Sequence, residues 1–172
     1  CRHLFGDILG VDADSVMVGG SSSLNMMFDT ISCFMTAPVV EGCKPWYEVK
    51  NRKFLCPVPG YDRHFAITQY YGFELIPIPM DDNGPDMDMV EKLVSEDDSV
   101  KGIWCVPKYS NPAGITYSDE VVKRFAALKP AAKDFRIMWD NAYCIHEISD
   151  TPDVLLNIMD ECKKTGNEDL PI

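Results

Sequence analysis

The stretch Val100–Gly114, which reads VKGIWCVPKYSNPAG, decides the fold. Its first half, Val100–Val106, is short and apolar, as is typical of a buried strand. Its second half holds an Asn-Pro step and a glycine, which favour a turn. A helical pattern follows at Ser118–Leu128, and a second apolar run follows at Phe135–Trp139. A strand, a helix and a strand in this order predict a right-handed βαβ unit with parallel strands.

The same alternation of strands and helices continues toward both ends of the chain. Without a linker or an internal repeat to divide it, the pattern predicts a single domain over residues 1–172. We expect an α/β fold of three layers, α/β/α, around a mostly parallel sheet. The further helices are expected at Arg2–Gly10, Ser22–Thr36, Tyr61–Tyr71, Asp86–Val94 and Pro152–Lys164, and the further strands at Ser15–Val18, Lys53–Pro57 and Phe73–Ile78.

Composition and charge narrow the classes of function. The chain has 172 residues, of which 46% are hydrophobic and 25% charged, and this balance is that of a globular domain. The net charge of −11 disfavours nucleic acid and anionic membrane surfaces as partners. The seven cysteines show neither a CxxC pair nor zinc spacing, so we expect no metal site. Lacking a signal-peptide pattern and an apolar run of membrane-spanning length, the chain is expected to be cytoplasmic.

Ligands of parallel sheets bind at the carboxyl ends of the strands, so the residues that follow each strand are the candidates for chemistry. Gly19–Ser23 follows the first predicted strand with small residues and serine hydroxyls at a helix start, which suits either a phosphate cradle or a plain capped turn. Tyr61 follows the next strand, where its ring could stack on a flat ligand or simply join the core.

The two strands of the central unit end in polar side chains. Asn111 could present its amide to an aromatic oxygen, or serve only the Asn-Pro turn. Asp140 directly follows Phe135–Trp139, where a carboxylate is costly unless it is paired, so it either caps a turn or holds a ligand. Each signal is weak alone, but four in this order at strand ends favour one shared site.

Four segments give the chain a resemblance to the class I aminotransferases, which are pyridoxal-phosphate enzymes of fold type I. They are GGSSSLN (Gly19–Asn25), PGYDRH (Pro59–His64), SNPAG (Ser110–Gly114) and WDNAY (Trp139–Tyr143). SNPAG resembles the family's N-P-T/A-G signature, and WDNAY resembles its D-x-A/P-Y signature. The surroundings of PGYDRH are most similar to the MocR-type or class Ic aspartate aminotransferase branch. The resemblance runs from Val11 to about Glu147 and implies an incomplete fold type I large domain.

The resemblance implies a role for residues at each strand end. Asp140 matches the aspartate that pairs with the pyridine nitrogen of pyridoxal 5′-phosphate, and Tyr61 matches the aromatic residue that stacks on the ring. Asn111 and Tyr143 match the pair that hydrogen-bonds the 3′ oxygen, and Asn111 also neighbours the substrate carboxylate. The phosphate-binding turn matches Gly20, Ser21 and Ser22.

The family's Schiff-base lysine has no match in this sequence. Lys163 and Lys164 are the only lysines after Asp140, and they lie in a predicted helix rather than at a strand end. A further strand is expected to start at Leu170–Ile172. We therefore expect the chain to be a central fragment of the large domain, without the N-terminal arm or the small domain. We expect such a fragment to show weak or no covalent binding of the coenzyme and to be inactive by itself.

The function implied by the resemblance is amino transfer between an amino acid and a 2-oxo acid, with aspartate or glutamate as the family-level substrates. The expected assembly is a homodimer. Two alternatives remain open on the sequence. One is another fold type I reaction, such as a C–S lyase or a decarboxylase, because the coenzyme-binding residues do not separate these reactions. The other is a truncated binding module without catalysis.

Overall fold

The computed structural model describes residues 1–147 and 150–172. Its centre is a five-stranded sheet in the order β3-β2-β1-β4-β5. β1 is parallel to both β2 and β4, and β4 is parallel to β5, while β2 and β3 pair antiparallel. The mostly parallel sheet predicted from the sequence is thereby confirmed. The strands are β1 (Lys53–Val58), β2 (Glu74–Asp81), β3 (Gly84–Pro85), β4 (Val100–Cys105) and β5 (Arg136–Trp139).

Helices cover both faces of the sheet. They are α1 (Arg2–Leu9), α2 (Ser23–Thr36), α3 (Asp62–Tyr70), α4 (Met87–Glu96), α5 (Asp119–Ala126) and α6 (Ile158–Thr165). Apolar side chains of α2 and α3 pack into one core cluster, and those of α4, α5 and α6 pack into another. The three-layer α/β/α architecture follows from this division.

The strands of the middle of the sheet supply both clusters by alternation. In β4, Ile103 packs with α4, α5 and α6, whereas the next residue, Trp104, packs with α2 and α3. Leu55 and Phe54 of β1 divide in the same way, and all four side chains are at most 2% exposed. Successive side chains of a strand point to opposite faces. A strand covered on both faces therefore reads as the continuous apolar run seen in the sequence.

Polar side chains fix where the helices begin. The hydroxyl of Ser22 accepts a hydrogen bond from the backbone N–H of Asn25 at the start of α2, at 3.3 Å. Ser118 caps α5 and Asp86 caps α4 in the same manner. These caps satisfy N–H groups that have no acceptor within the helix. The local sequence thus sets where α5 begins after β4 and where α2 begins after Gly19–Ser21.

The strand predicted at Ser15–Val18 is wrong. A short 3₁₀ helix occupies Ala13–Ser15, and Val16 has extended backbone angles but pairs with no strand of the described chain. Met17 is 87% exposed. A strand needs a hydrogen-bonded neighbour, which Ser15–Val18 lacks among the described residues. The edge of β5 pairs with Leu170–Ile172. The backbone N–H of Trp139 donates to the carbonyl of Ile172 at 2.9 Å, so the extension predicted there is confirmed.

The helix predicted at Pro152–Lys164 is shorter than expected, because α6 begins only at Ile158. Asn157 ends the irregular segment before it. Its side-chain oxygen accepts from the N–H of Met159, and its side-chain nitrogen donates to the carbonyls of Leu9 and Gly10 at 3.1 Å. An asparagine engaged in capping and in a contact with α1 stands outside the helix. The apolar periodicity continues on both sides of the start of α6, so the sequence pattern does not show where the helix begins.

Candidate active site at the carboxyl edge of the sheet

Three parallel strands end at one edge of the sheet and deliver the predicted residues there. Tyr61 follows β1 and stands at the N-terminus of α3. Asn111 lies in the turn after β4, and Asp140 directly follows β5. The backbone N–H of Asp140 donates to the carbonyl of Cys105 at 2.9 Å, so the pairing of β5 with β4 continues up to the carboxylate.

Asp140 faces a buried histidine. Oδ2 of Asp140 lies 3.0 Å from Nε2 of His64, and the two side chains are 13% and 1% exposed. The distance is that of an ion pair for a protonated imidazole. The contact does not meet the geometry of a directed hydrogen bond, since Nε2 has no such partner among the described residues. A carboxylate offers about four acceptor positions, so Asp140 keeps room for another donor.

Aromatic packing holds His64 in place. Its ring stacks on Trp104 of β4, with centroids 4.7 Å apart and an interplanar angle of 18°. The ring of Tyr61 meets His64 edge-on at 5.0 Å. Nε1 of Trp104 in turn donates to the hydroxyl of Thr68 in α3 at 3.2 Å. The imidazole is therefore fixed between a strand and a helix, and it limits where the carboxylate of Asp140 can lie.

Tyr61, His64 and Asn111 border one shallow hollow, whose floor includes Trp104. The turn that carries Asn111 is closed by Ser110, whose carbonyl accepts from the N–H of Gly114 at 2.5 Å and whose hydroxyl accepts from the N–H of Ile115 at 3.0 Å. Ser110 is buried and Asn111 is exposed. The turn thus presents the Asn111 side chain at its tip, above the edge of the sheet.

The other predicted residues are not brought into this hollow. Tyr143 is half-buried three residues after Asp140, and its ring contacts His146 at 5.5 Å between centroids. Gly20 and Ser21 are exposed in the segment before α2, and a side-chain carbon placed on Gly20 would meet nothing within 4 Å. Gly20 and Ser21 are accessible to solvent, and no contact between them and Asp140 is found among the described residues.

The two lysines after Asp140 lie away from the strand ends. Lys163 and Lys164 are exposed near the end of α6. Each pairs with an acid three residues earlier, Lys163 with Asp160 at 3.4 Å and Lys164 with Glu161 at 2.5 Å. They belong to the solvent face of the helix. That neither lysine matches the Schiff-base lysine stays a prediction from the sequence.

A second cavity, larger than the hollow, has a volume of about 680 Å³ and shares no lining residue with it. Lys108, Trp139 and Asn141 line one side of it, and parts of α1 and of residues 152–159 line the other. None of the residues predicted to bind the coenzyme borders this cavity. Oδ1 of Asn141 is buried and lacks a hydrogen-bond partner among the described residues.

His64 is the residue of the site that sequence reasoning did not assign. It stood within PGYDRH, but no role was drawn for it. The available signal was its spacing, because residues three apart at the start of a helix lie on the same face. The position of Tyr61 at the predicted strand end therefore implies that His64 lies beside it. The ring of His64 packs on the apolar Trp104.

Two further properties apply to the described ranges, 1–147 and 150–172. They contain no group of three or more His, Cys, Asp or Glu side chains arranged to hold a metal ion. Nor do they contain a helix with the length and apolar character needed to cross a membrane.

Comparison with known proteins places this geometry among aminotransferases. The family model described as aspartate amino-transferase matches residues 1–172. An aspartate aminotransferase of Corynebacterium glutamicum is 46% identical over 166 residues, which cover 96% of this chain and 38% of the relative. The crystal structure of an aspartate transaminase from the same organism superimposes with a TM-score of 0.93 at 45% identity, covering 99% of this chain and 40% of that one.

The chain spans about 40% of the length of these relatives. A more distant match is cystalysin from Treponema denticola, whose structure contains a pyridoxal 5′-phosphate cofactor. It superimposes with a TM-score of 0.67 at 15% identity, covering 97% of this chain and 39% of that one. At this identity the likeness shows the shared fold alone.

Proposed function

This chain belongs to the aspartate amino-transferase family, and from that premise we propose that it supplies the coenzyme-binding sheet edge of a pyridoxal-phosphate-dependent aminotransferase. One observation carries the proposal. Asp140 stands at the carboxyl end of β5 against His64, beside a hollow bordered by Tyr61 and Asn111. The arrangement puts a carboxylate, an aromatic ring and an amide at one edge, as a flat and charged heterocycle requires.

The residues present fit the coenzyme chemically. Asp140 is largely buried, and its contact with His64 leaves acceptor positions free for a protonated ring nitrogen. The 14-residue helix α2 begins directly after Gly20–Ser22, and the first N–H groups of a helix lack acceptors within it. Such a terminus attracts a phosphate. The open space at Gly20 leaves the backbone there free to approach an anion.

Each residue then has a distinct task. Pyridoxal phosphate, when bound, supplies an electron sink for the substrate's α-carbon. Asp140 holds the proton on the pyridine nitrogen, and His64 keeps the carboxylate aimed along the edge of the sheet. Tyr61 covers one face of the ring. Asn111 and Tyr143 would donate hydrogen bonds to the 3′ oxygen of the bound coenzyme, and Ser21 and Ser22 would hold its phosphate together with the backbone of Gly20.

The proposed substrates are an amino acid and a 2-oxo acid. Aspartate and glutamate are the preferred pair, since the Corynebacterium glutamicum relative at 46% identity is named an aspartate aminotransferase. We further propose a homodimer in the cytoplasm, on the resemblance to the family. A C–S lyase or a decarboxylase shares the fold, but no contact of the described residues favours either reaction over amino transfer.

Binding of pyridoxamine 5′-phosphate, measured by calorimetry on the 172-residue chain, tests the proposal. This ligand keeps the ring, the phosphate and the 3′ hydroxyl but has an aminomethyl group in place of the aldehyde, so it forms no Schiff base and its binding needs no lysine. We expect one site per chain, and we expect Asp140→Ala to weaken it by about tenfold or more, since a hydrogen bond to a charged group contributes roughly 1.5–3 kcal/mol.

Asp82→Ala is the matched control, because Asp82 is an exposed carboxylate in the turn between β2 and β3. The Asp82→Ala chain should bind pyridoxamine 5′-phosphate with the same affinity as the unmodified chain. Equal affinities for Asp140→Ala and Asp82→Ala, or no binding by the unmodified chain, would contradict the proposed function.

A further inference from the structure

Lys108 and Tyr109 lie just before Ser110 and Asn111, and each makes contacts across the edge of the sheet. Lys108 is only 8% exposed. Its Nζ donates to the carbonyl of Cys144, at 3.3 Å, in the loop that carries Tyr143. The same Nζ lies 5.2 Å from the centre of the Tyr109 ring. Among the described residues no acidic side chain lies within ion-pair distance of Lys108, and its Nζ contacts a backbone carbonyl and an aromatic ring.

Tyr109 has a backbone φ of 48°, which places a bulky residue in the left-handed region. A non-glycine residue there costs about 1–3 kcal/mol and is retained only where its surroundings fix it. Two contacts do so here. Its N–H donates to the hydroxyl of Thr116 at 3.2 Å, and its own hydroxyl accepts from the N–H of Asp153 at 2.8 Å. The strained turn is thus tied on both sides.

We propose that Lys108 and Tyr109 form a clamp that sets the separation between Asn111 and Tyr143. The clamp rests on the proposed function, in which those two side chains share the 3′ oxygen of the coenzyme. Asn111 and Tyr143 lie on separate loops, after β4 and after β5, and loops move more readily than the strands that carry them. Lys108 belongs to the loop after β4. It contacts the loop after β5 at Cys144, one residue beyond Tyr143. Lys108 and Tyr109 are therefore positioning residues, not catalytic ones.

Amide hydrogen exchange tests the clamp without coenzyme. The N–H groups of Cys144 and His146 close turns in the loop of Tyr143, by donating to Asn141 at 3.2 Å and to Tyr143 at 3.0 Å. Lys108→Met should speed their exchange by about tenfold, because a local opening becomes easier. Exchange at Val122, which reports on α5, should not change. Unchanged exchange at Cys144 and His146, or an equal increase at Val122, would overturn the clamp.

A milder variant keeps the test valid if Lys108→Met does not fold. Tyr109→Phe removes only the hydroxyl and should speed exchange of the Asp153 N–H alone. Lys123→Met and Tyr70→Phe are the matched controls, because both side chains are exposed and lie outside the site. These controls should leave every one of the named amides unchanged. A Tyr109→Phe variant with unaltered exchange at Asp153 would count against the clamp.

A spectroscopic measurement links the clamp to the ligand. With pyridoxamine 5′-phosphate bound, the pH at which its 3′ hydroxyl ionises follows from absorbance, and hydrogen bonds to that oxygen shift it. Lys108→Met should move this midpoint while lowering affinity less than threefold, since phosphate contacts remain. An unmoved midpoint refutes the positioning role. Faster loop exchange in a chain that binds no ligand would instead refute the proposed function and leave the tie between the loops standing.

Discussion

Gly60 is the residue at which the site's geometry is least tolerant of change. A side-chain carbon added there would lie 2.2 Å from the carbonyl oxygen of Pro57 and 2.6 Å from the ring of Phe65. Both distances are far shorter than a normal van der Waals contact, and the oxygen of Pro57 belongs to the backbone. The chain between β1 and Tyr61 can therefore reach its observed path only without a side chain at this position.

Gly60→Ala should accordingly lower the free energy of unfolding by about 1–3 kcal/mol, the usual range for overpacking. Gly20→Ala is its counterpart, since a carbon there meets nothing within 4 Å and stability should stay within about 0.5 kcal/mol. Urea unfolding of both variants gives the comparison. A Gly60→Ala chain as stable as the unmodified one would show that the turn before Tyr61 is not confined as described.

At the residue scale, Asp140 and Asn111 could be located from the sequence because each is a polar residue that follows an apolar strand, and the structure places both at the same edge of the sheet. Their roles toward a coenzyme stay predictions. His64 could not be located in this way, because a histidine within an amphipathic helix is indistinguishable from an ordinary core residue until its neighbours are known. Its role depends on Trp104, 40 positions further along the chain, and such a pairing leaves no local mark.

At the scale of elements, an ion pair joins the start of β1 to the turn before β4. Nζ of Lys53 lies 2.7 Å from Oδ2 of Asp97, and the N–H and hydroxyl of Ser99 donate to Oδ1 of the same carboxylate. The hydrogen bond from Lys53, followed by those from Ser99, lowers the pKa of Asp97 from 3.8 to about 2. The carboxylate therefore stabilises the folded chain only while it is ionised.

From the Lys53–Asp97 ion pair we predict that the folded chain loses stability in acid. Because the pKa of Asp97 is lower in the folded chain than in the unfolded one, its contribution is complete above about pH 4 and fades as the pH falls toward 2. Asp97→Asn should be less stable by about 1 kcal/mol near neutral pH, a value reduced for solvent screening, and the difference should shrink as the pH falls through the folded-state pKa of about 2. Urea midpoints across this range provide the measurement. A stability difference that does not vary with pH would contradict the assignment.

The elements that sequence reasoning missed share one cause. The strand expected at Ser15–Val18 and the helix start expected at Pro152 both had suitable local patterns. The first has no partner strand among the described residues, and the second gives way to Asn157, which donates to the distant carbonyls of Leu9 and Gly10. The segment between α2 and β1 shows the same dependence on distant residues, because its Trp46 is fully buried and donates to Asp134 at 3.0 Å. Asp134 also pairs with the buried Lys101 of β4 at 2.7 Å. Such long-range partners cannot be read from local periodicity.

At the scale of the whole molecule, the seven cysteines report on the integrity of the core. All are free thiols, of which Cys1 and Cys33 are exposed, whereas Cys56, Cys105 and Cys162 are buried. Burial raises the pKa of Cys56 to about 12 and that of Cys162 to about 11, and it raises the pKa of Cys105 further still. The thiolate is the reactive form, so these buried thiols are protected by both access and protonation.

Native alkylation with iodoacetamide should therefore label Cys1 and Cys33 rapidly. Cys56, Cys105 and Cys162 should react only when the domain opens, and peptide mass spectrometry reads each site separately. In denaturant all seven should react at comparable rates. Labelling of Cys105 as fast as Cys33 under native conditions would contradict the description of β4 as a strand covered on both faces.

A graft into an aminotransferase relative tests most directly the proposal that this chain supplies the coenzyme-binding edge of the sheet. The aligned segment of the Corynebacterium glutamicum aspartate aminotransferase, 46% identical over 166 residues, would be replaced by this chain. The measurement is kcat/KM for amino transfer from aspartate to 2-oxoglutarate. We expect a working chimera, in which Asp140→Ala lowers kcat/KM by about 100-fold or more, as is usual when a group that manages a proton is lost, while Asp82→Ala has no effect. A folded chimera without activity, or one in which Asp140→Ala is as active as Asp82→Ala, would contradict the account.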